Sequence, residues 1–399
     1  MKDTLLVIIA ASAVNVAPAQ WTVLNTGIEE TLYGVHFVDE NTGWAVGEMG
    51  TIIKTTDGGV SWEDQESGTL ERLSSVHFVD SERGTAVGTG SAVVRTTDGG
   101  ETWSVQVMPT VWALSTVHFF DADTGYIVGD FNTIYKTTDA GATWVQQLGM
   151  QGGFLTAVQF TGPDTGFAVG ELGTILKTTD GGAVWNTMPT ISTTWLWDVR
   201  FTDPNTGYIL SVADVFYKTT DGGTTWAALS NGMPEEQSLF AMEWTGTNVG
   251  HAVGNGGSIL RTVDAGGTWE RLPNEFDGGN LTFFDVHFPT EEVGYVVGEF
   301  GHVLRNLNAG VNGLNDGQTP VPLGLHPVPV VDEGPVTLSH DLHDASEVVV
   351  SDESGSIVLS VRANAVSHSL DVMDLSNGAY TVEVRSAGGF RRGRMLIQR

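Results

Sequence analysis

Apolar and polar residues alternate in short runs along most of the chain, and the runs return in a fixed order. Each unit opens on an alternation such as Val35-His36-Phe37, repeated from Val76, Val117, Val158, Val199, Met242 and Val286. A turn follows and closes on Gly43, Gly84, Gly125, Gly166, Gly207, Gly250 or Gly294. Next come a short apolar run (Trp44-Ala45-Val46), a glycine-containing turn and a second run (Thr51-Ile52-Ile53-Lys54). The unit ends on Thr55-Thr56-Asp57-Gly58-Gly59-Val60-Ser61-Trp62. Runs this short with a period of two are strands, and the turn chemistry between them leaves no length for a helix. The Asp returns at Asp98, Asp139, Asp180, Asp221 and Asp264, in steps of 41, 41, 41, 41 and 43 residues. Four short strands at that period are the pattern of a β-propeller blade.

Counting sets the topology. The opening alternation occurs seven times, but the Asp phrase is complete only six times. The seventh unit runs Arg305-Asn306-Leu307-Asn308-Ala309-Gly310 with no Trp after it, while Trp21-Thr22-Val23-Leu24 stands alone near the start. The tryptophans at 21, 62, 103, 144, 185, 226 and 269 then make a ladder of seven. The expectation is a seven-bladed, all-β propeller over residues 20–310, with residues 21–27 supplying the last strand of the seventh blade. Closure of this kind removes the unpaired sheet edges of an open array.

The repeated columns read as scaffold. Asp57, Asp98, Asp139, Asp180, Asp221 and Asp264 suit a tight turn, where Asp accepts main-chain hydrogen bonds. Trp62, Trp103, Trp144, Trp185, Trp226 and Trp269 suit packing against the blade. One Asp per blade is not expected to converge on a calcium or catalytic site. Lys54, Arg95, Lys136, Lys177, Lys218, Arg261 and Arg305 form a basic column, expected to pair with acidic groups of the same or a neighbouring blade. His36, His77, His118 and His287 share one strand position. Because they lie on separate blades, no metal site is expected from them, and no cofactor is expected.

Composition narrows the partners. Eighteen basic residues against 48 acidic ones give a net charge of −30, which repels nucleic acid and anionic lipid. The absence of cysteine excludes disulfides, thiolate metal sites and a cysteine nucleophile. Residues 1–19 read as a signal peptide: Lys2, an apolar run from Leu5 to Val14, and Ala17-Pro18-Ala19 as a small-x-small cleavage site. The run is too short to span a bilayer, and no later stretch is long and apolar enough to do so.

The phrase Thr-x-Asp-Gly-Gly-x-x-Trp, with Val-x-Phe and Gly-Trp-Ala-Val-Gly in register, resembles the Asp-box (BNR-type) repeats. Among these it is most similar to propellers of the photosystem II stability and assembly factor type. The resemblance covers about residues 21–310 and implies the propeller fold. Sialidases, xyloglucanase-type glycosidases and a sortilin lumenal domain share the box with different chemistry, so the box implies no activity.

After a linker at residues 311–324 the period stops. Alternating runs at Val336–Leu338, Glu347–Ser351, Ser356–Val361, His368–Val372, Ala379–Arg385 and Arg391–Gln398 predict a small Ig-like β-sandwich over residues 325–399. Val348-Val349-Val350-Ser351-Asp352, Gly378-Ala379-Tyr380-Thr381-Val382-Glu383-Val384 and Arg394-Met395-Leu396-Ile397 resemble the C-terminal sorting domain of the type IX (Por) secretion system of Bacteroidetes-type bacteria. Its usual Tyr-Pro-Asn-Pro opening is altered here to His326-Pro327-Val328-Pro329. The resemblance implies the type IX machinery as a partner, removal of the tail, and a secreted or cell-surface destination. A photosystem role belongs to photosynthetic cells, so the fold is carried over and the biology is not.

A specific site is expected where blades differ. The loops before the first strands carry Glu30, Arg72, Trp112, Phe154, Trp195, Trp197 and Phe240. The turns between second and third strands carry Glu48, Asp130, Glu171 and Glu299. Both sets are expected on one face. Trp112, Phe154, Trp195, Trp197 and Phe240 are the candidate ligand-binding residues, since rings stack on sugar faces; a channel plugged by the same rings is the plainer reading. Two functions follow: a non-catalytic glycan- or protein-binding module, or an extracellular glycoside hydrolase drawing two carboxylates from Glu48, Asp130, Glu171 and Glu299. A hydrolase requires two of these to face one cleft, about 5 Å or about 6.5–9.5 Å apart.

Overall fold

The computed structural model describes residues 21–109, 112–149, 152–212, 215–229 and 238–307. It also describes the strands Val336–Ser339, Ala345–Ser351, Ile357–Val361, Ser367–Leu370, Gly378–Ser386 and Gly389–Ile397. The expected signal segment 1–19, the linker 311–324 and the 326–329 opening lie outside the described residues.

Six meanders with first strands at Leu32–Phe37, Leu73–Phe78, Leu114–Phe119, Leu155–Phe160, Leu196–Phe201 and Leu239–Trp244 each form a four-stranded antiparallel sheet. We number these blades 1 to 6. Blade 7 takes Phe283–His287, Gly294–Gly298 and Val303–Asn306, and its outer strand is Thr22–Leu24. Thr22, Val23 and Leu24 stand opposite Arg305, Leu304 and Val303 in antiparallel register. The ring is thus closed by the strand that the tryptophan count assigned to it.

Each seam between neighbouring blades has its own apolar core, so the second strand, facing both neighbours, is buried along its whole length in every blade. Leu32, Val35, Phe37 and Ile53 of blade 1 pack against Tyr295, Val297 and Val303 of blade 7, for example. The aromatic columns interlock in the same way. Tyr126 stacks on Phe160 of the next blade at 3.7 Å, and Phe160 meets Trp185 of its own box edge-on at 5.9 Å. Tyr295, Phe37 and Trp62 repeat this across the closing seam at 3.6 and 6.1 Å. Trp21 is 2% exposed and meets Phe288 edge-on at 6.2 Å, which makes it the seventh member of the ladder in three dimensions.

The Asp box is a hydrogen-bonded turn. Asp57 accepts from the Ser61 N–H and from the Thr55 hydroxyl on one oxygen, and from the Ser61 hydroxyl on the other. Gly59 follows at φ 86°, a conformation that suits glycine. These bonds hold the Asp57 carboxyl down to about 2, the Ser61 hydroxyl bond being the largest cause.

The basic column corrects an expectation. Five of its seven members reach main-chain carbonyls rather than carboxylates: Arg95 donates to Ala140, Lys136 to Gly181, Lys177 to Gly222, Lys218 to Ala265 and Arg305 to Gly58. Each acceptor is the residue after the next blade's Asp. That carbonyl points back across the seam at a fixed place in blades 1 to 6, whereas acidic side chains do not recur there. Lys54 does meet an acid, Glu101, at 3.8 Å. Tyr126, Tyr208 and Tyr295 add their hydroxyls to the same carbonyls as Lys136, Lys218 and Arg305.

The C-terminal strands form a separate unit, with one four-stranded and one two-stranded antiparallel sheet. The observed strands fall within a residue or two of those read from the sequence.

Replacement of Trp21 by Ala is expected to lower stability by about 3–5 kcal/mol, the cost of emptying a buried aromatic site. A chain starting at residue 28 is expected to lose more, because it also exposes the edge of Val303–Asn306. Urea or thermal unfolding measures both, and unchanged midpoints would refute closure through this strand.

Candidate functional site

The first strands converge on the central channel, and each carries a β-bulge at its second residue. Leu32 pairs with Gly47 and Gly34 with Val46, so Tyr33 is the extra residue, and the same shift recurs in all seven blades. A bulge re-aims the side chain it adds. The bulge residues are Tyr33, Ser74, Ser115, Thr156, Trp197, Phe240 and Phe284.

The two loop sets share one face. In every blade the turn after the second strand donates an N–H to the residue before the first strand: Glu48 to Thr31, Thr89 to Arg72, Asp130 to Ala113, Glu171 to Phe154, Val212 to Trp195, Asn255 to Ser238 and Glu299 to Thr282. We call this the upper face; the meander puts the Asp boxes on the other.

At the upper mouth the aromatic residues join into one arc. Phe154 meets Trp195 at 5.5 Å, Trp195 stacks on Trp197 at 5.4 Å, and Trp197 meets Phe240 at 5.3 Å. The arc runs on through Phe284 at 5.9 Å to Tyr33 at 4.7 Å, where the Arg72 guanidinium lies 4.9 Å over the Tyr33 ring. All of these rings are half-buried. Four of the five expected ring residues therefore come together. Trp112 pairs instead with Phe131 at 4.4 Å, on blade 3. Tyr33 and Phe284 were missed, although the bulge column that contains Trp197 and Phe240 holds them too.

The candidate carboxylates occupy four blades. Glu48 accepts from the Tyr33 hydroxyl at 2.8 Å, Asp130 from the Ala113 N–H at 3.1 Å and Glu299 from the Thr282 N–H at 2.8 Å. Each of these three is thus engaged by a donor of its own blade. Glu171 opens the corresponding turn of blade 4, and Glu30 stands exposed beside Glu29, whose N–H it accepts.

Deeper in the channel lies a polar ring that corrects a second expectation. The histidines are on separate blades, yet they meet, because the first strands crowd together at the axis. His36 lies 4.4 Å from His77 and 4.6 Å from His287, and His77 lies 5.7 Å from His118. Gln159, Arg200 and Glu243 complete the column. Among the described residues no group of three or more His, Asp or Glu side chains is arranged to hold a metal ion. The ring instead joins blades: His36 accepts from the Phe78 N–H, Gln159 from the Phe201 N–H, Arg200 donates to the Met242 carbonyl, and His287 bonds the Phe37 carbonyl.

Two carboxylates one layer up act alike, and sequence reasoning overlooked both. Asp198 accepts from Val199 and from Met242 of blade 6; Asp285 accepts from Val286 and from Val35 of blade 1. Burial raises Asp198 to about 6 and Asp285 to about 7, with Arg200 opposing the rise in both. Arg200 also pairs with Asp198 at 3.3 Å and Glu243 at 3.4 Å. The signal was available: the third strand position reads Gly34, Ser75, Thr116, Ala157, Asp198, Ala241 and Asp285, and Asp is out of character among small residues.

This architecture has known counterparts. The family described as photosynthesis system II assembly factor YCF48 matches residues 13–108, 66–152 and 187–278, more than half of the chain. The chain belongs to that family. Residues 324–398 match the secretion system C-terminal sorting domain, which indicates export by the type IX system. No curated protein matches the chain. Among solved structures, YCF48 bound to D1 peptide is similar, at 21% identity and a TM-score of 0.63, over 75% of this chain and 98% of that one. YCF48 from Cyanidioschyzon merolae is similar at 20% identity and 0.62, over 72% and 99%. The WD40 β-propeller domain of Doa1 matches at 13% identity and 0.58, over 72% and 96%. At these identities the likeness is one of fold.

The ring makes stability depend on pH. Burial lowers His118 to about 3 and His287 to about 4, and lowers His36 and His77 as well. Their contribution is full above the unfolded value near 6.5 and is lost as pH falls through the folded values. Asp198 and Asp285 act oppositely: their contribution is full when protonated and is lost as pH rises toward about 6 and 7. In His118→Gln, which copies Gln159 of the neighbouring blade, the loss of stability between about pH 6 and 4 is expected to be shallower by roughly 1 kcal/mol per pH unit. Urea unfolding across that range gives the slopes, and equal slopes would contradict a buried neutral His118.

Proposed function

We propose that this chain is an exported, non-catalytic binding module that engages a glycan or protein surface at the upper mouth of its propeller. The observation that carries this reading is the continuous arc Phe154, Trp195, Trp197, Phe240, Phe284 and Tyr33. Its rings come from blades 4, 5, 6, 7 and 1, and at the bulge position that holds Tyr33, Trp197, Phe240 and Phe284 the other three blades have Ser or Thr. Rings gathered on one rim supply large rigid contact area at low entropic cost.

Binding is favoured over glycoside hydrolysis. Glu48, Asp130 and Glu299 each accept a hydrogen bond within their own blade. The carboxylates that burial does raise, Asp198 and Asp285, hold main-chain N–H groups on both oxygens, which supports a stapling role. A propeller of this fold has been solved with a D1 peptide bound, so the scaffold is compatible with a polypeptide ligand. In this reading residues 1–19 direct passage of the inner membrane, the sorting domain directs passage of the outer one, and the mature propeller works outside the cell or on its surface.

The full chain, applied to a glycan array and to a peptide display library, is expected to retain ligands whose binding falls about tenfold or more in Trp195→Ala or Trp197→Ala. Binding indifferent to both changes would overturn the aromatic site. In a type IX-competent host, a chain ending at residue 310 is expected to stay inside the outer membrane while the full chain passes it. Equal distribution would refute the export route.

A further inference from the structure

Four blades place a large apolar side chain where the backbone favours glycine. Met49, Phe131, Leu172 and Phe300 hold φ values of 56°, 56°, 55° and 55°, in the left-handed region. That conformation is unfavourable for a residue bearing a Cβ. Blades 2 and 6 use Gly90 and Gly256 at the same place, at 60° and 66°. The four side chains are nevertheless 62%, 41%, 67% and 65% exposed. Phe131 leans on Trp112. Met49, Leu172 and Phe300 are held out into water by a backbone that would relax with glycine. Strain of this kind, kept at surface positions, points to contact with a partner.

The surroundings state the partner's chemistry. Each of the four follows a carboxylate: Glu48, Asp130, Glu171 or Glu299. On the adjoining blades 7 and 1 the turns open onto cavities of the upper face. One of about 490 Å³ is lined by Phe300, Phe276 and His302 with Glu275, Asp277 and Glu299. Another of about 440 Å³ is lined by Met49 and Leu70 with Asp64 and Glu66; Leu70 is 79% exposed. No lysine or arginine lines either cavity, but Arg271 pairs with Asp277 from beside the first, which leaves Glu275 and Glu299 as its acidic wall. Protruding apolar side chains beside carboxylates suit a partner whose side chains pair an apolar stem with a cation. Met49 and Leu70 offer no flat face to a sugar, and an anionic lipid surface would be repelled.

We propose that the upper face over blades 7 and 1 docks a partner polypeptide that carries lysine or arginine beside large apolar side chains. This rests on the binding-module reading and names the class of its ligand. The net charge of −30 steers such a partner in from solution. Phe300 and Met49 insert between its side chains, while Glu275, Glu299, Asp64 and Glu66 meet its cations.

The test uses the full chain and a short dye-labelled peptide of alternating lysine and leucine, with a glutamate–leucine peptide as control, read by fluorescence polarisation. The lysine–leucine peptide is expected to bind, to weaken markedly between about 0.05 and about 0.5 M salt, and to outcompete the control. Met49→Gly with Phe300→Gly is expected to weaken binding about tenfold or more, while the melting temperature holds or rises because glycine suits both positions. Failure of the peptide to bind, equal binding of the control, or full affinity in the double variant would each overturn the proposal. If glycan or display-library ligands still bind in a Trp195-dependent way, the binding module stands and this choice of partner alone falls.

Discussion

The fold depends on one main-chain carbonyl in each of blades 1 to 6, that of the residue after the box Asp. The Asp holds its turn so that this carbonyl faces the preceding blade, where a cation from the third strand meets it: Lys136 on Gly181, Lys177 on Gly222, Arg305 on Gly58. A tyrosine hydroxyl from the second strand joins in three seams, and the ring of that same tyrosine stacks on the next blade's first strand. A hydrogen bond to a charged donor is stronger than a neutral one, and here it recurs beside an apolar seam. The Asp boxes are therefore joints between blades as much as turns within them. Arg305 and Tyr295 carry the joint across the closing seam, where Thr22–Leu24 completes the sheet.

Joining also explains the channel. Polar side chains on the innermost strands would be orphaned at the axis unless paired, and most reach main-chain groups of the neighbouring blade. Ser115 donates to Leu155, Thr116 to Thr156 and Thr156 to Leu196, and His36, His287, Gln159, Arg200, Asp198 and Asp285 do comparable work. Charge in the channel thus serves the ring before any ligand. What remains unspent lies on the upper face: the aromatic arc, and the turns of Met49, Leu172 and Phe300.

The blade count, strand order and closing strand were legible because period-two runs, glycine turns and a tryptophan at fixed spacing all point to one architecture. The shared face of the two loop sets followed from the meander. Convergence at the axis was not legible. Spacing along the chain placed His36, His77, His118 and His287 a blade apart, and only the radial arrangement of first strands brings their rings together. The partners of the basic column were missed for a related reason, since a carbonyl leaves no mark in the sequence. The bulge was hidden too, so Tyr33 and Phe284 passed as ordinary strand residues beside Trp197 and Phe240. The exposed Met49, Leu172 and Phe300 were written plainly after each acid, but their cost shows only in a positive φ.

The account divides the chain into repeated residues that hold the ring and irregular ones that meet a partner. Hydrogen exchange of the full chain, with and without the lysine–leucine peptide, tests that division most directly. The peptide is expected to slow exchange at residues 48–50 and 299–301 and in the loops lining their cavities, and to leave the Asp boxes, such as residues 57–62, unchanged. Protection confined to the Asp boxes, or none at the upper-face turns, would contradict it.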